Sequence, residues 1–291
     1  MVPARAPEQR LRSRLMDYKT ILVHADGSRH AHARVQLAAS LAAQHGAHLV
    51  GAAMTGVSRL VVPPGRVFKP DSIEAGCFAP LDAAAKRALD EFARVAGSHA
   101  AAFEKRLVRD QADDGLAGLA RFADLVVLSQ DDPDEALSSQ PTRLPEYVIL
   151  GTARPVLVVP RAGWRRGRLN QVLLAWDESK EAAFAISASI PLLRHAKTVS
   201  IASFCRESDT GREPDIPDLL RYLKHHGVHA GVQLRDAAPE SGKALLQLAA
   251  ELGADLLVMG CYGHSQFHEL ILGGASRTVL SDAAIPVLMA H

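Results

Sequence analysis

The 291 residues are many for one domain and sufficient for two, and the hydrophobic fraction of 48% is enough for two buried cores without disulfides. With 33 Lys and Arg against 32 Asp and Glu, and only 5% aromatic residues, the composition argues against a nucleic-acid-binding protein. Three widely spaced cysteines favour a reducing compartment, the cytoplasm, and no apolar run reaches the roughly 18–20 residues of a membrane helix, so we expect no membrane association.

The beginning of the chain carries four arginines and two prolines without an apolar core, and we expect a disordered leader over residues 1–16. Met16 stands directly before the first predicted strand and is an alternative starting residue. Both interpretations of this segment stay open.

The next segment alternates strand and helix patterns. An apolar strand ends at Asp26 and is followed by an Ala-rich helical pattern and a second apolar strand. Gly56–Pro80 is rich in Gly and Pro and predicts a long loop between a strand and a helix. Ala83–Ala102 predicts one long helix, and Lys105–Arg109 predicts a weak third strand.

The second half of the chain repeats the plan of the first. Asp177 follows an apolar strand as Asp26 does, 151 positions later. DLLVMG after Ala254 matches DLVVLS after Ala123, and the terminal PVLMAH matches PVLVVP, both at an offset of 131. The decrease from 151 to 131 indicates about 20 additional residues in the first copy, which we assign to Gly56–Pro80.

Five strands and four helices alternate in the predicted second copy. The strands are residues 171–176, 198–204, 228–235, 255–259 and 286–290, and the helices are residues 179–195, 216–226, 240–252 and about 270–281. Continuous apolar strands between amphipathic helices indicate a parallel sheet covered on both faces. The sequence therefore predicts an α/β protein of two flavodoxin-like, doubly wound domains, residues 17–161 and 170–291, each with a five-stranded parallel sheet.

A glycine pattern follows the fourth strand of the second copy, in the region where doubly wound sheets bind ligands. Two residues separate Gly260 from Gly263, and nine more lead to Gly273 and Gly274. Glycines let the backbone approach a ligand closely, and exposed N–H groups at a helix start favour phosphate. For the glycines alone, an ordinary turn between a strand and a helix is the alternative.

This spacing, the aspartate after the first strand, the ADLLVMG strand and the terminal PVL strand together resemble the ATP-binding members of the universal stress protein family. The resemblance covers residues 17–160 and again residues 170–291. It implies a tandem protein with adenine-nucleotide α-hydrolase-like domains that binds ATP or another adenine nucleotide, with Asp177 at the adenine or ribose.

The resemblance also implies the residues of the nucleotide site. They are Asp177, Gly260, Gly263, His264, Ser265, Gly273, Gly274 and Ser276. The glycines would present backbone N–H groups to phosphates, Ser276 matches a hydroxyl position, and a His-Ser pair is frequent after the second glycine in the family. The family has Ser or Thr where this chain has Gly274, so one hydroxyl is lost, at a cost of about 1 kcal/mol.

The first copy has replaced this loop. At the offset of 131, the counterparts of Gly260, Gly263, Gly273, Gly274 and Ser276 are Ser129, Asp132, Thr142, Arg143 and Pro145. Asp131, Asp134 and Glu135 add negative charge where phosphates would lie. We therefore expect no ATP in the first copy.

Other chemistry has weaker support. Helix N-capping is an alternative role for Asp26 and a compatible one for Asp177. The clusters His225, His226, His229 and Cys261, His264, His268 fit no standard zinc spacing, so we expect solvated histidines and no metal. No nucleophile elbow, HExxH motif or Walker lysine is present, and we name no catalytic residue; the family resemblance implies at most weak ATP hydrolysis.

Two hypotheses on function follow. One is a stress-response or signalling module with a single adenine nucleotide in the second copy, and the other is a scaffold or interaction protein in which both sites are vestigial. Single-domain members of the family commonly dimerise through their last strands, and the two PVL strands are matching apolar edges. We predict that these strands pair within one chain to form an intramolecular pseudo-dimer; association of two chains into a homodimer stays open.

Overall fold

The structure, a computed structural model, describes residues 17–57, 73–99, 101–135, 143–164, 169–205, 215–236, 238–261 and 274–291. The chain divides into two compact units, and the boundary lies between Val127 and Leu128. Among the described residues, no helix has both the length and the apolar character needed to cross a membrane.

The described part of the first unit contains four strands and three helices. Its elements are β1 (Thr20–His24), α1 (Ala31–His45), β2 (His48–Met54), α2 (Ile73–Gly97), β3 (Phe103–Val108), α3 (Ala112–Ala120) and β4 (Leu125–Ser129), whose last two residues lie beyond the boundary. The strands are parallel in the order β3-β2-β1-β4. Ile21, Leu22 and Val23 of β1 are at most 1% exposed, as expected for a continuous apolar strand covered on both faces.

The second unit holds the complete second copy. Its elements are α4 (Leu144–Gly151), β5 (Val156–Val159), β6 (Gln171–Ala175), α5 (Lys180–Leu193), β7 (Thr198–Cys205), α6 (Ile216–His225), β8 (Ala230–Asp236), α7 (Ser241–Glu251), β9 (Leu256–Gly260), α8 (Ala275–Asp282) and β10 (Val287–Ala290). Strands β10-β9-β6-β7-β8 are neighbours in that order and parallel. Counted from the start of the copy this order is 5-4-1-2-3, a Rossmann-like doubly wound sheet, so the predicted fold class is confirmed.

The bounds of the elements repeat with the offsets read from the sequence. Each residue of β6 lies 151 positions after its counterpart in β1, and β9, α8 and β10 lie 131 positions after β4, α4 and β5. The segment between β9 and α8 is therefore compared with the segment between β4 and α4 without a gap.

The loop predicted over Gly56–Pro80 is wrong in its last part, because α2 already begins at Ile73. Pro80 removes one backbone hydrogen bond, yet the 25-residue helix tolerates it because a long apolar face holds the helix in place. The buried residues of that face are Ala85, Ala88, Leu89, Phe92, Val95 and Ala96. α2 also ends at Gly97 rather than Ala102, and β3 begins at Phe103, two residues before the predicted strand.

The two PVL strands pair, as predicted. β5 and β10, both in the second unit, are antiparallel, with Val158 opposite Val287 and Val156 opposite Met289. At the centre Leu157 faces Leu288, its own counterpart at the offset of 131. The register is therefore self-complementary, as in a contact between two copies of the same strand.

Candidate functional site

The second copy has a topological switch point between β6 and β9. From β6 the chain continues through α5 to β7 on one side, and from β9 it continues through α8 to β10 on the other side. In open α/β sheets such a point leaves a crevice at the carboxyl ends of the two strands. Asp177 follows the end of β6, and Gly260 is the last residue of β9, so both predicted residues belong to this edge.

Asp177 is exposed and organises the turn into α5. Its Oδ1 accepts hydrogen bonds from the backbone N–H of Ser179 at 3.1 Å and from the Ser179 hydroxyl at 2.6 Å. Ser179 is the N-cap of α5, and its Oγ accepts from the N–H of Ala182 at 3.1 Å. The capping residue is thus Ser179, and Asp177 orients it while its side chain stays accessible.

Trp176 stands between β6 and Asp177. Its backbone N–H donates to the carbonyl of Ala202 at 2.9 Å, which extends the pairing of β6 with β7 by one residue. The indole Nε1 is buried and has no hydrogen-bond partner among the described residues. Buried N–H donors without an acceptor are rare in folded proteins.

Gly260 is required by packing. A Cβ at this position would lie 2.3 Å from the backbone N of Ala182 and 2.5 Å from the carbonyl C of Glu181. The end of β9 therefore lies directly against the first turn of α5, and only glycine permits that approach. This contact with α5 could not be read from the spacing of the motif.

The middle of the glycine loop lies outside the described residues. Gly263, His264, Ser265 and Gly273 belong to this part. Gly274 is described as the exposed N-cap of α8, with φ of −56°. A Cβ at Gly274 would meet no described atom within 4 Å, so contacts with the described residues do not require glycine there.

Helix α8 begins without a side-chain cap. The N–H groups of Arg277 and Thr278 donate to the carbonyl of Gly274, and Ser276 is half-buried in the first turn. The N–H groups of the first turn carry the positive end of the helix dipole, which favours an anion. This end of α8 follows the loop from β9 and lies at the carboxyl edge of the sheet, as in any β-α-β unit.

A second glycine positions α8. A Cβ at Gly242 in α7 would lie 2.8 Å from Cβ of Thr278 and 3.0 Å from both Cα and the carbonyl oxygen of Ala275. The first turn of α8 therefore rests directly on α7. No motif marked Gly242, since only the contact between the two helices shows its role.

Cys261, the first residue of the loop, is buried. Its Sγ donates to the carbonyl of Ala290 at 3.3 Å. Burial, with a smaller contribution from the charge of Glu181, raises the pKa of the Cys261 thiol to about 12. His264 and His268, the other members of this cluster, lie outside the described residues.

The other histidine cluster lies at the end of α6. His225 and His229 are exposed, and His226 packs on Tyr222 with ring centroids 4.6 Å apart. Burial, with the charges of Arg194 and His225, lowers the pKa of His226.

The first copy holds its aspartate in a different way. A guanidinium N–H of Arg34 donates to Oδ1 of Asp26 at 2.8 Å, and Arg34 Nε donates to the carbonyl of His24 at 2.8 Å. Nδ1 of His24 lies 3.4 Å from the other carboxylate oxygen of Asp26. At the offset of 151, the second copy has alanine in place of both His24 and Arg34.

This buried cluster, His24–Asp26–Arg34, changes the ionisation of its members. Burial, supported by the charge of Arg34 and opposed by Asp26, lowers the pKa of His24 to about 4. Burial alone would raise the pKa of Asp26, but Arg34, His24 and the Ser28 hydroxyl outweigh it and hold this pKa well below its usual range. No sequence motif predicted this cluster, although an arginine inside an Ala-rich buried helix face was a signal.

The start of α4 differs from the start of α8 in its donors and charges. Arg143 replaces Gly274 and adopts a left-handed φ of 50°, and Pro145, in place of Ser276, has no N–H to donate. Burial raises the pKa of Glu146 in the first turn, and the charge of Asp131 adds to the effect. Asp132, Asp134 and Glu135 are half-buried or exposed near Asp131 in the chain.

Comparisons with known proteins agree with this architecture. Residues 169–291 match the model of the Universal stress protein family. A curated universal stress protein from Synechocystis is 27% identical over 151 residues, which are 49% of this chain and 49% of that protein, so the match spans about half of the relative's length.

Solved structures show the same fold over nearly the whole chain. A universal stress protein from Archaeoglobus fulgidus covers 93% of this chain and 97% of its own, with a TM-score of 0.69 and 16% identity. A functionally unknown protein from Pseudomonas aeruginosa covers 95% of this chain and 93% of its own, with a TM-score of 0.63 and 16% identity. Residues 169–291 therefore match the domain of the universal stress protein family, and the chain as a whole shares the fold of these solved structures.

Proposed function

We propose that the second copy binds one adenine nucleotide, ATP in the first instance, and that the protein acts as a nucleotide-dependent stress-response or signalling module. The observation that carries the proposal is the switch point between β6 and β9, with an exposed carboxylate after one strand and the glycine loop after the other.

The phosphates would bind at the start of α8. Gly274, Ala275 and Ser276 supply N–H groups at an uncapped helix N-terminus. The remaining donors come from Gly260 and from Gly263, His264, Ser265 and Gly273 in the glycine loop. Hydrogen bonds to a charged group contribute about 1.5–3 kcal/mol each, so a few of them suffice for micromolar binding.

The adenine or ribose would bind beside Asp177. Its Oδ1 is engaged by Ser179, which fixes the side chain, while the exposed carboxylate can accept from a hydroxyl or amino group of the ligand. The buried indole N–H of Trp176 is a further donor next to this position. Alanines at positions 175 and 185 leave the space that His24 and Arg34 occupy in the first copy.

The same comparison supports a single site in each chain. In the first copy Arg34 already binds the Asp26 carboxylate, Pro145 removes a donor, and Asp131 brings negative charge towards the phosphate position. Repulsion between carboxylates and phosphates disfavours a nucleotide there.

Nucleotide titration of the full-length chain tests the proposal. The chain has two tryptophans, and Trp164→Phe leaves Trp176 as a fluorescent reporter beside Asp177. We expect saturable ATP binding with one nucleotide per chain by calorimetry, and at least a tenfold loss of affinity for Asp177→Asn, which corresponds to about 1.4 kcal/mol. The matched variant Asp26→Asn should leave ATP affinity unchanged.

Gly274→Ser tests the proposal through an expected increase in ATP affinity. It restores the hydroxyl of the family pattern at a position where a Cβ would meet no described atom within 4 Å, so we expect ATP to bind about threefold to tenfold more tightly. Absence of any signal for ATP, AMP or cyclic AMP, together with an empty nucleotide pool in the purified protein, would contradict the proposal and favour the scaffold hypothesis.

A further inference from the structure

Helix α8 depends on its neighbours for its position. It has eight residues, ASRTVLSD, so it is about 12 Å long and far shorter than a helix that is stable alone in water. Ser, Thr, Val and Asp are also poor helix formers. Contacts at its two ends and its buried Val279 and Leu280 must therefore hold it.

The end of α8 that is opposite the proposed phosphate site is held by two side chains, Gln130 and Arg161, which we call the clamp. The Gln130 amide is buried, and its Nε2 donates to the carbonyl of Ala283 at 2.9 Å. A guanidinium N–H of Arg161 donates to the carbonyl of Ser281 at 2.9 Å. Terminal carbonyls of a helix have no partner inside the helix, and a cation at this end also interacts favourably with the dipole.

The clamp is itself tied together. Oε1 of Gln130 accepts from the backbone N–H of Arg161 at 2.9 Å, and the Gln130 N–H donates to the carbonyl of Val159 at 2.9 Å. Both Nε2 and Oε1 of Gln130 are therefore hydrogen-bonded, and these two bonds fix the orientation of the side-chain amide. Gln130 follows β4 and Arg161 follows β5, so both belong to the sequence of the first copy, although they lie in the second unit.

The clamp has no duplicate at the corresponding place in the second copy. The counterpart of Gln130 at the offset of 131 is Cys261, whose thiol donates to Ala290. The counterpart of Ala283 is Thr152, whose buried hydroxyl has no hydrogen-bond partner among the described residues. The two ends of α8 are thus linked to different copies, since Gly242 of the second copy contacts its first turn.

We propose that Gln130 and Arg161 are positioning residues for the nucleotide site, through which the first copy sets the place of the α8 N-terminus. A short rigid helix that loses its anchor at one end can tilt, and a tilt moves the N–H groups at the other end. This proposal rests on the proposed nucleotide site. It gives the first copy, which has lost its own loop, a role in the ligand affinity of the second.

The clamp acts only on the part of the site that binds phosphate. Loss of the clamp should therefore weaken ATP, which contacts α8, and leave adenosine, which lacks phosphates, unaffected. General destabilisation of the fold would not separate the two ligands. The ratio of their affinities is consequently the decisive quantity.

Gln130→Ala, Arg161→Ala and Arg161→Lys are each introduced into the full-length chain that already carries Trp164→Phe. Their affinities for ATP and for adenosine are then compared, by titration, with those of the chain that carries Trp164→Phe alone. Arg194→Ala is the matched control, since Arg194 Nε donates to the carbonyl of His226 at 2.9 Å, at the end of another helix. We expect a fivefold to tenfold weaker ATP affinity for the two alanine variants, less than a twofold change for adenosine, recovery with lysine and no change in the control.

Hydrogen exchange of the peptide that contains residues 275–283 is measured on the same variants. Faster exchange in the alanine variants than in the control is expected whether or not ATP binds. Parallel loss of ATP and adenosine affinity, or unchanged exchange in α8, would overturn the clamp. If the wild-type chain binds no ATP while exchange responds as expected, the nucleotide site fails and Gln130 and Arg161 are structural residues only, which also overturns their proposed positioning role.

Discussion

Asp26 and Asp177 show how two equivalent side chains acquire different chemistry from their neighbours. Asp26 is 30% exposed and bound to an arginine that is 2% exposed, so its charge is neutralised inside the protein. The Asp177 carboxylate accepts hydrogen bonds from Ser179 and remains exposed among the described residues. His24 and Arg34, which hold Asp26 in this way, are replaced by alanine in the second copy.

The cluster His24–Asp26–Arg34 predicts a pH dependence of stability. His24 stays neutral in the folded protein down to about pH 4, whereas an unfolded histidine binds a proton near pH 6.5. The unfolded state therefore takes up the proton first, and the free energy of unfolding falls as the pH decreases from about 6.5 to about 4. Asp26, with its lowered pKa, adds a further loss only below about pH 4.

Urea unfolding at pH 7 and pH 4.5 measures this effect. His24→Ala, which introduces the residue of the second copy, should reduce the loss of stability between the two pH values by about 2–3 kcal/mol. Exposed His229→Ala serves as the control and should keep the wild-type pH dependence. Equal slopes for wild type and His24→Ala would show that His24 is not the titrating group.

At the scale of helices and strands, two glycines permit close packing at places where a side chain would have no room. Gly260 brings β9 against α5, and Gly242 brings α8 against α7. Both contacts lie in the second copy, and both position elements of the candidate site. The start of α8 therefore lies in direct contact with α7.

Gly242→Ala tests this packing. Alanine is the better helix former, but its Cβ would overlap with Thr278 and Ala275. The two contacts with Ala275 are with backbone atoms, Cα and the carbonyl oxygen, which cannot rotate away. We expect a net destabilisation of about 1–3 kcal/mol in urea unfolding and weaker ATP binding. Gly118→Ala in α3 is the matched change, because its Cβ would meet no described atom within 4 Å.

Gly118→Ala should be neutral or stabilising by up to about 1 kcal/mol, since only the gain in helix propensity remains. A similar result for both variants would mean that α8 shifts without cost, and Gly242 would then have no role in positioning it.

The sequence predicted most strands of the second copy within one or two residues, because each is a continuous apolar run between polar turns. It also located the candidate site through Gly260 and Asp177, which lie at strand ends. The start of α2 before Pro80 was missed, since long-range packing outweighed the local signals of Gly and Pro. Gly242, the clamp and the cluster His24–Asp26–Arg34 depend on contacts between distant segments, which no local spacing encodes.

At the scale of the whole molecule, the pairing of β5 with β10 closes an edge that the second copy would otherwise expose. Leu157 faces its counterpart Leu288 at the centre of an antiparallel register. Such a register is self-complementary, so another copy of β10 can take the place of β5. Unpaired apolar edge strands are sites of association between chains.

The isolated family domain, residues 169–291, should therefore dimerise through β10. In that dimer Leu288 of one fragment lies opposite Leu288 of the other, and Val287 lies opposite Met289. We expect a dimer by light scattering at micromolar concentration, while this edge remains closed by β5 in the full-length chain. Directly opposed side chains have Cβ atoms about 4.5–5.5 Å apart, so the register is accessible to cross-linking.

Leu288→Cys in the fragment should form a disulfide between two chains under mild oxidation, because each new thiol faces its own copy. Met289→Cys is the matched variant, since it faces valine and should cross-link weakly. In the full-length chain Leu157 covers position 288, so Leu288→Cys should stay reduced there. A monomeric fragment, or cross-linking at 289 in preference to 288, would contradict the self-complementary register and with it the view that β5 replaces a second chain.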